Sequence, residues 1–418
     1  MDDLAFVVDS VQFGWIEMWF PGEAQITPSR LETRHYPSGL NNRFIGASLK
    51  FPEYIEYSRK LIAQVRAGLS GLDKIVDGNA PFELRPADGF PAGKEKTYRH
   101  GILLTHGLSD SPYFMRYLAA FFQENGFLVK VLLLPGHGTR PGDLLEVSWQ
   151  EWAKTVDYGV DQLAAEAEEV YLGGYSAGGA LSVYQSLRDQ RVRGLFLFAP
   201  ALRVSAKAAF ANFHRTYSWL IPSAKWLSIK PDTDLYKYES FPKNAAAQMY
   251  ALTQAVKMQL AKRKINIPVF AVVSQDDITT NTEATIEFMA HAAHSSNKLV
   301  YYFSDEKKIP AGLEKDKIEC VSSVLSDKGI SSLAHTAIVL PPEDEYYGEL
   351  GAYCNCLHYY PDEMEKYRAC IDRVDKVIQG EITERNLKSG TLRRLMYNPH
   401  FITMKTAMKQ FIEKLSTC

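Results

Sequence analysis

From His100 onward, apolar runs of strand length alternate with amphipathic segments of helix length. Strands are predicted over 101–105, 127–134, 170–175, 194–199, 268–274 and 298–303. Between them, helices are predicted over 112–124, 149–168, 177–187 and 282–293, where apolar residues recur three and four apart. Strands that are apolar throughout need cover on both faces, and the intervening helices supply it. The pattern predicts an α/β chain with a mostly parallel sheet between two helical layers.

This rhythm divides the 418 residues. Residues 1–97 carry aromatics and Pro/Gly punctuation with one predicted helix over 51–69, and are expected to form an N-terminal extension packed on the core. The alternation lapses between about Arg203 and Ile265, where Phe210, Phe213, Tyr217, Trp219, Trp226, Tyr236, Tyr238 and Phe241 cluster. Residues 203–262 are therefore expected to be a cap or lid inserted into a core made of 98–202 and 263–418. Within that core, 304–334 reads as a second insertion and the tail from Asp362 as largely helical, ending in 403–415.

Composition narrows the partners. The chain is 46% apolar, and its 47 Lys and Arg nearly balance 49 Asp and Glu. That balance gives no electrostatic footprint for nucleic acid. No apolar run approaches the roughly 18 residues of a spanning helix. Met1-Asp2-Asp3 lacks the basic start of a secretory signal, and five cysteines suit a reducing compartment, so a cytoplasmic location is expected. No phosphate loop, nicotinamide fingerprint or H-E-x-x-H is present, so neither cofactor nor metal is expected.

The chemistry points to Gly174-Tyr175-Ser176-Ala177-Gly178, a G-x-S-x-G stretch at a predicted strand-to-helix turn. A serine on such a turn stands above the sheet edge, and glycines two residues away on each side admit the crowded backbone. An ordinary Gly-rich loop would share the bare motif; the flanking strand and helix favour a nucleophile. A serine nucleophile needs a base and a residue to orient it, in the order Ser, acid, His. The acid belongs after a downstream strand, where Asp276 and Asp277 follow Ser274-Gln275. Asp277 is preferred because it lies further along the turn, leaving Asp276 a turn or capping role. Of the histidines that follow, His335 occupies a loop after the last strand-like run and is the expected base. His291 and His294 come too early, on a helix face; His400 precedes the last helix; His358 lies in an aromatic, Cys-containing segment. A tetrahedral intermediate also needs backbone N–H donors for its oxyanion. Ala177, after the nucleophile, and Leu108, after Gly107, are the expected donors.

At these residues the chain resembles the α/β-hydrolases, most closely their monoacylglycerol-lipase, carboxylesterase and serine-aminopeptidase-like branch. The matching segments are Leu104-Thr-His-Gly-Leu-Ser-Asp-Ser-Pro-Tyr113, Leu134-Pro-Gly-His-Gly-Thr-Arg-Pro-Gly142 and Gly174–Gly178. The resemblance covers roughly half the chain. It implies an α/β-hydrolase fold with a helical cap insertion over the site. With the ordered Ser, Asp and His it implies a serine hydrolase working through an acyl-enzyme. Because Arg203–Lys230 carries no carboxylate while Arg203, Lys207, Arg215, Lys225 and Lys230 are basic, a small-molecule carboxylic ester with an apolar acyl group is expected over an aminopeptide. A peptidase of the same mechanism and a silent hydrolase fold that binds a ligand are the alternatives. The branch spans esters, monoglycerides and peptides, so the substrate stays open. Residues 1–97, 304–334 and the tail after Leu340 depart from compact members, which leaves a homo-oligomer open.

Two further groups have plainer readings. His137, on the same sheet edge as Ser176, is expected to make a structural hydrogen bond in its Pro-Gly-His-Gly turn. Cys354-Asn-Cys356-Leu-His358 with Cys370 is tighter than zinc spacing. Buried thiols beside aromatics are expected there, with a Cys356–Cys370 bridge if the protein meets an oxidant.

Overall fold

The computed structural model describes residues 31–87, 89–90, 92–204, 222–309, 316–372 and 377–415. Its twelve strands in chain order are β1 (Phe82–Leu84), β2 (Tyr98–Thr105), β3 (Phe127–Leu132), β4 (Ala167–Tyr175), β5 (Val192–Phe198), β6 (Trp226–Ser228), β7 (Phe241–Pro242), β8 (Val269–Ser274), β9 (Lys298–Phe303), β10 (Ile318–Ser322), β11 (Ile378–Gly380) and β12 (Leu392–Arg394). Eight of them form one sheet in the order β1-β3-β2-β4-β5-β8-β9-β10. Every pairing in it is parallel except β1 with β3.

The sheet separates two apolar cores, which explains why its central strands read as unbroken apolar runs. On β5, Leu195 and Leu197 enter one core while Phe196 and Phe198 enter the other. On β8, Val269, Ala271 and Val273 face the first, and Phe270 and Val272 the second. Successive side chains of a strand point to opposite faces, so both must be covered. The helices Trp149–Glu166, Ala177–Ser186 and Lys243–Leu260 cover the first face through Trp152, Leu181 and Leu252. Arg116–Glu124 and Phe401–Leu415 cover the second through Phe122 and Phe411, and their rings pack edge-on against Phe196.

Two segments expected as an N-terminal extension and a second insertion each add a strand to the sheet. β1 comes from the N-terminal stretch and pairs with β3. Lys130, fully buried on β3, takes its partners from Glu83 of β1 and from Glu166, which satisfies the one charge in that run. β10 comes from within 304–334 and adds a parallel edge strand to β9. The N-terminal helix ends at Val65, short of the expected Leu69; glycines at 68 and 71, both at positive φ, follow it. The tail carries Met364–Asp372, Glu384–Lys388 and Phe401–Leu415 as helices, but β11 and β12 form a small parallel sheet between them.

Of the aromatics expected in the cap, Phe210, Phe213, Tyr217 and Trp219 lie outside the described residues. Trp226, Tyr236 and Tyr238 are buried, and Tyr236 stacks on Tyr113 with ring centroids 3.9 Å apart. No helix among the described residues is long and apolar enough to cross a membrane.

Candidate active site

β4 ends at Tyr175 and a helix begins at Ala177, so Ser176 sits alone on the turn. Its backbone is forced to φ 54°, ψ −113°, a conformation that non-glycine residues seldom adopt. The flanking glycines make the turn feasible. A Cβ at 174 would lie 2.2 Å from the Gly178 carbonyl, and one at 178 would lie 2.0 Å from the Thr105 oxygen. Both obstacles are backbone, so neither position admits a side chain without moving the sheet.

Three expected residues, separated by 101 and 58 positions in sequence, meet above the ends of β4 and β8. His335 Nε2 lies 3.1 Å from Ser176 Oγ, and His335 Nδ1 lies 2.7 Å from Asp277 Oδ2. All three are buried. Asp277 also accepts from the Thr279 and Thr280 N–H groups at 2.7 and 2.8 Å and from the Thr280 hydroxyl at 2.8 Å. Burial by itself pushes the Asp277 carboxyl up; the adjacent His335 imidazole and the Thr280 donors outweigh it and hold it below the ordinary range. An ionised Asp277 can only accept, so the imidazole proton sits on Nδ1 and the Nε2 lone pair faces the serine hydroxyl. Tyr175 supports His335: its ring stacks on the imidazole at 5.1 Å and its hydroxyl donates to the His335 carbonyl at 3.0 Å.

Asp276 is excluded from this cluster. Its Oδ1 accepts from Ser304 Oγ at 2.9 Å and faces Arg385 at 3.5 Å. Instead of the expected turn or capping contact, the Asp276 side chain ties its turn to Ser304 and Arg385.

The loop after β2 approaches Ser176 through Gly107. A Cβ at Gly107 would meet Asp110 Oδ2 at 2.3 Å and Ser176 Cβ at 3.2 Å, so Leu108 follows a backbone that passes close beside the serine. His106 Nδ1–H donates to the Gly107 carbonyl at 2.8 Å, and its Nε2 accepts from the Leu134 N–H at 3.1 Å, which fixes the loop from below. Ala177 is the first residue of its helix, where an N–H has no acceptor within the helix. Of the expected donors, Ala177 follows Ser176 directly and Leu108 follows the close-lying Gly107.

Sequence reasoning missed four residues here. Asp110, 2% exposed, pairs with Lys237, whose ammonium also reaches Ser109 Oγ at 3.2 Å. Lys237 comes from a strap in which the Tyr238 N–H donates to the Ser109 carbonyl at 2.8 Å. Glu381, fully buried, and Arg394, partly buried, both from the tail, form an ion pair behind His335. In sequence Asp110 resembles a turn residue and the other three ordinary solvated charges; no local pattern marks them.

His137 is fully buried, with Nδ1 donating to the Pro135 carbonyl at 3.0 Å, and burial lowers its pKa to about 4. It takes the structural role expected of it. Cys356 and Cys370 are joined in a disulfide, with Cα atoms 6.1 Å apart, instead of being two buried thiols. Neither sulfur is then available as a thiolate ligand. Among the described residues, no group of three His, Cys, Asp or Glu is placed to hold a metal.

A family model described as serine aminopeptidase, S33, matches residues 96–304, half of the chain. The thermostable monoacylglycerol lipase of Bacillus sp. strain H-257 is 27% identical over 177 residues, covering 42% of this chain and 70% of the lipase. The carboxylesterase of Bacillus subtilis strain 168 is 22% identical over 232 residues, covering 54% of this chain and 92% of the esterase. Among solved structures, a monoacylglycerol lipase of Paleococcus ferrophilus is 18% identical with a TM-score of 0.41, over 53% of this chain and 88% of its own.

Proposed function

Because this chain belongs to the serine aminopeptidase, S33, family of α/β-hydrolases, we propose that it is a serine hydrolase cleaving a carboxylic ester with an apolar acyl group. The observation that carries the reading is the buried relay Ser176–His335–Asp277, with contacts of 3.1 and 2.7 Å. Ser176 Oγ attacks the ester carbonyl carbon while His335 Nε2 takes its proton. Asp277 holds the Nδ1 tautomer and stabilises the imidazolium. The oxyanion is held by the Leu108 and Ala177 N–H groups. The imidazolium then protonates the leaving alcohol, giving an acyl-enzyme. Water, deprotonated by the same imidazole, attacks the acyl carbonyl and releases the acid and Ser176. Of the expected cap, 203–262, the helix Lys243–Leu260 packs on the sheet through Leu252, so only the stretch ahead of it is read as the cap over this site.

Ester is preferred over aminopeptide on one electrostatic ground. A substrate amino terminus needs a free carboxylate near the nucleophile. Asp110, the carboxylate on the Gly107 loop, is already neutralised by Lys237. The named relatives, a monoacylglycerol lipase and a carboxylesterase, support the same choice. The family description supports the aminopeptide alternative.

Fluorophosphonate labelling and initial rates distinguish these readings. Ser176 labelling is expected, with ester cleavage rising from acetate to butyrate and longer p-nitrophenyl esters. Each buried methylene is worth about 0.8 kcal/mol. Faster cleavage of amino-acid amides than of any ester would replace this reading with the peptidase. A folded chain that takes no label would replace it with a binding function.

A further inference from the structure

The tail contributes a largely buried ion pair whose contacts run to both His335 and the turn of Asp277. Glu381 is fully buried, and its two oxygens are completely used. Oε2 accepts from the His335 backbone N–H at 2.9 Å and from Arg394 Nη2 at 3.0 Å. Oε1 accepts from Arg394 Nε at 2.7 Å and from the Ile382 N–H at 2.9 Å. The same Arg394 Nη2 donates to Thr279 Oγ1 at 2.8 Å. Thr279 is the residue whose N–H holds Asp277 Oδ1. The backbone keeps the pair in register, since Gly380 of β11 lies opposite Arg394 of β12 and the Leu395 N–H donates to the Gly380 carbonyl at 3.0 Å.

Resting on the hydrolase reading, we propose that Glu381 and Arg394 are positioning residues that hold His335 and Asp277 at their working separation. A buried ion pair is a weak source of stability, because desolvation offsets most of its attraction. It does impose geometry: the planar guanidinium fork fixes both carboxylate oxygens and reaches a third acceptor in one orientation. Glu381 thereby sets the peptide plane from which the imidazole projects, and Arg394 fixes the hydroxyl of the turn that carries Asp277. Neither residue touches the reacting atoms. A displacement of about 1 Å in such a relay costs on the order of 10²-fold in rate.

The test compares Thr279→Val, Thr279→Ser and the charge-free double variant Glu381→Gln/Arg394→Gln, each in the full chain, using the ester the wild type cleaves best. The double variant is expected to lose on the order of 10²-fold in kcat with little change in KM. The proton resonance of the His335–Asp277 hydrogen bond should move with it. Thr279→Val should lose about tenfold in kcat, and Thr279→Ser, which restores the acceptor oxygen, should recover it. A double variant with wild-type kcat and only a lower melting temperature makes the pair a structural staple and overturns the inference. Where the double variant does not fold, equal kcat in Thr279→Val and Thr279→Ser overturns it. Turnover that survives Ser176→Ala defeats the hydrolase reading itself, a result separate from any of these.

Discussion

The carboxylate of Asp277 lies 2.7 Å from Nδ1 of His335, while the neighbouring carboxylate of Asp276 turns to Ser304. Two adjacent acids with different partners should give different variants. Asp277→Asn is expected to lower kcat by about 10⁴-fold, since an amide in that position disturbs the imidazole tautomer. Asp276→Asn is expected to leave the rate nearly unchanged and to lower the melting temperature by the equivalent of about 1 kcal/mol. Steady-state kinetics and thermal melts on the two variants decide it; the reverse pattern would move the acid by one residue.

Ser176→Ala should abolish fluorophosphonate labelling and nearly all ester turnover without loss of the fold. His335→Ala should do nearly as much damage. Combining the two should cost little beyond either alone, because the relay acts as a unit. Additive losses, multiplying in the double variant, would show that the two side chains serve separate steps.

Much of this arrangement was legible because it is local. A strand, a serine and a helix within ten residues declare their geometry, and the glycines at 174 and 178 are required by backbone contacts of 2.2 and 2.0 Å. Asp277, the proposed acid, was legible because it directly follows the apolar strand β8, and His335, the proposed base, because it lies in a loop after the last strand-like run. What the sequence could not reveal is carried by pairing across distance. β1 and β10 are short edge strands of three and five residues with mixed burial, so they carry no continuous apolar signal. Lys237 and Asp110 lie 127 positions apart, and Glu381 acts on His335 from 46 positions away. Charges like these look solvated until the fold buries them.

The Asp110–Lys237 pair gives a charge prediction. Lys237→Met leaves a buried carboxylate unpaired beside the nucleophile loop. Breaking one side of such a pair destabilises by about 3 kcal/mol or more, and an uncompensated negative charge opposes a developing oxyanion. The variant should melt lower and lose more than about tenfold in kcat/KM. Adding Asp110→Asn should restore most of both. If the double variant is as slow as the single one, the ammonium acts on the substrate and its service to Asp110 is secondary.

Stability should rise with pH across the weakly acidic range. Burial lowers His137 and His358 to about 4 from an ordinary value of 6.5, and His106 falls well below that value for the same reason. Between about 4 and 6.5 the unfolded chain binds protons at these three sites that the folded chain refuses, so their contribution is present above 6.5 and is lost as pH falls. Asp234 works in the opposite sense. Burial raises it to about 7 from 3.8, so its contribution is present below 3.8 and is lost as pH rises through about 7. Burial also lowers His100 and His400 and raises Asp143, Glu239 and Asp276. Among the groups shifted furthest, three histidines stand against the Asp234 carboxyl, which leaves a net gain with rising pH. Asp234→Asn removes the opposing group, so its stability should climb more steeply than the wild type's, by about 1.4 kcal/mol per pH unit where Asp234 alone differs. Urea melts at a series of pH values measure both slopes. A wild-type stability that is flat or falling from pH 4 to 6.5, or an Asp234→Asn slope no steeper than the wild type's, would contradict the burial of these groups in their neutral forms.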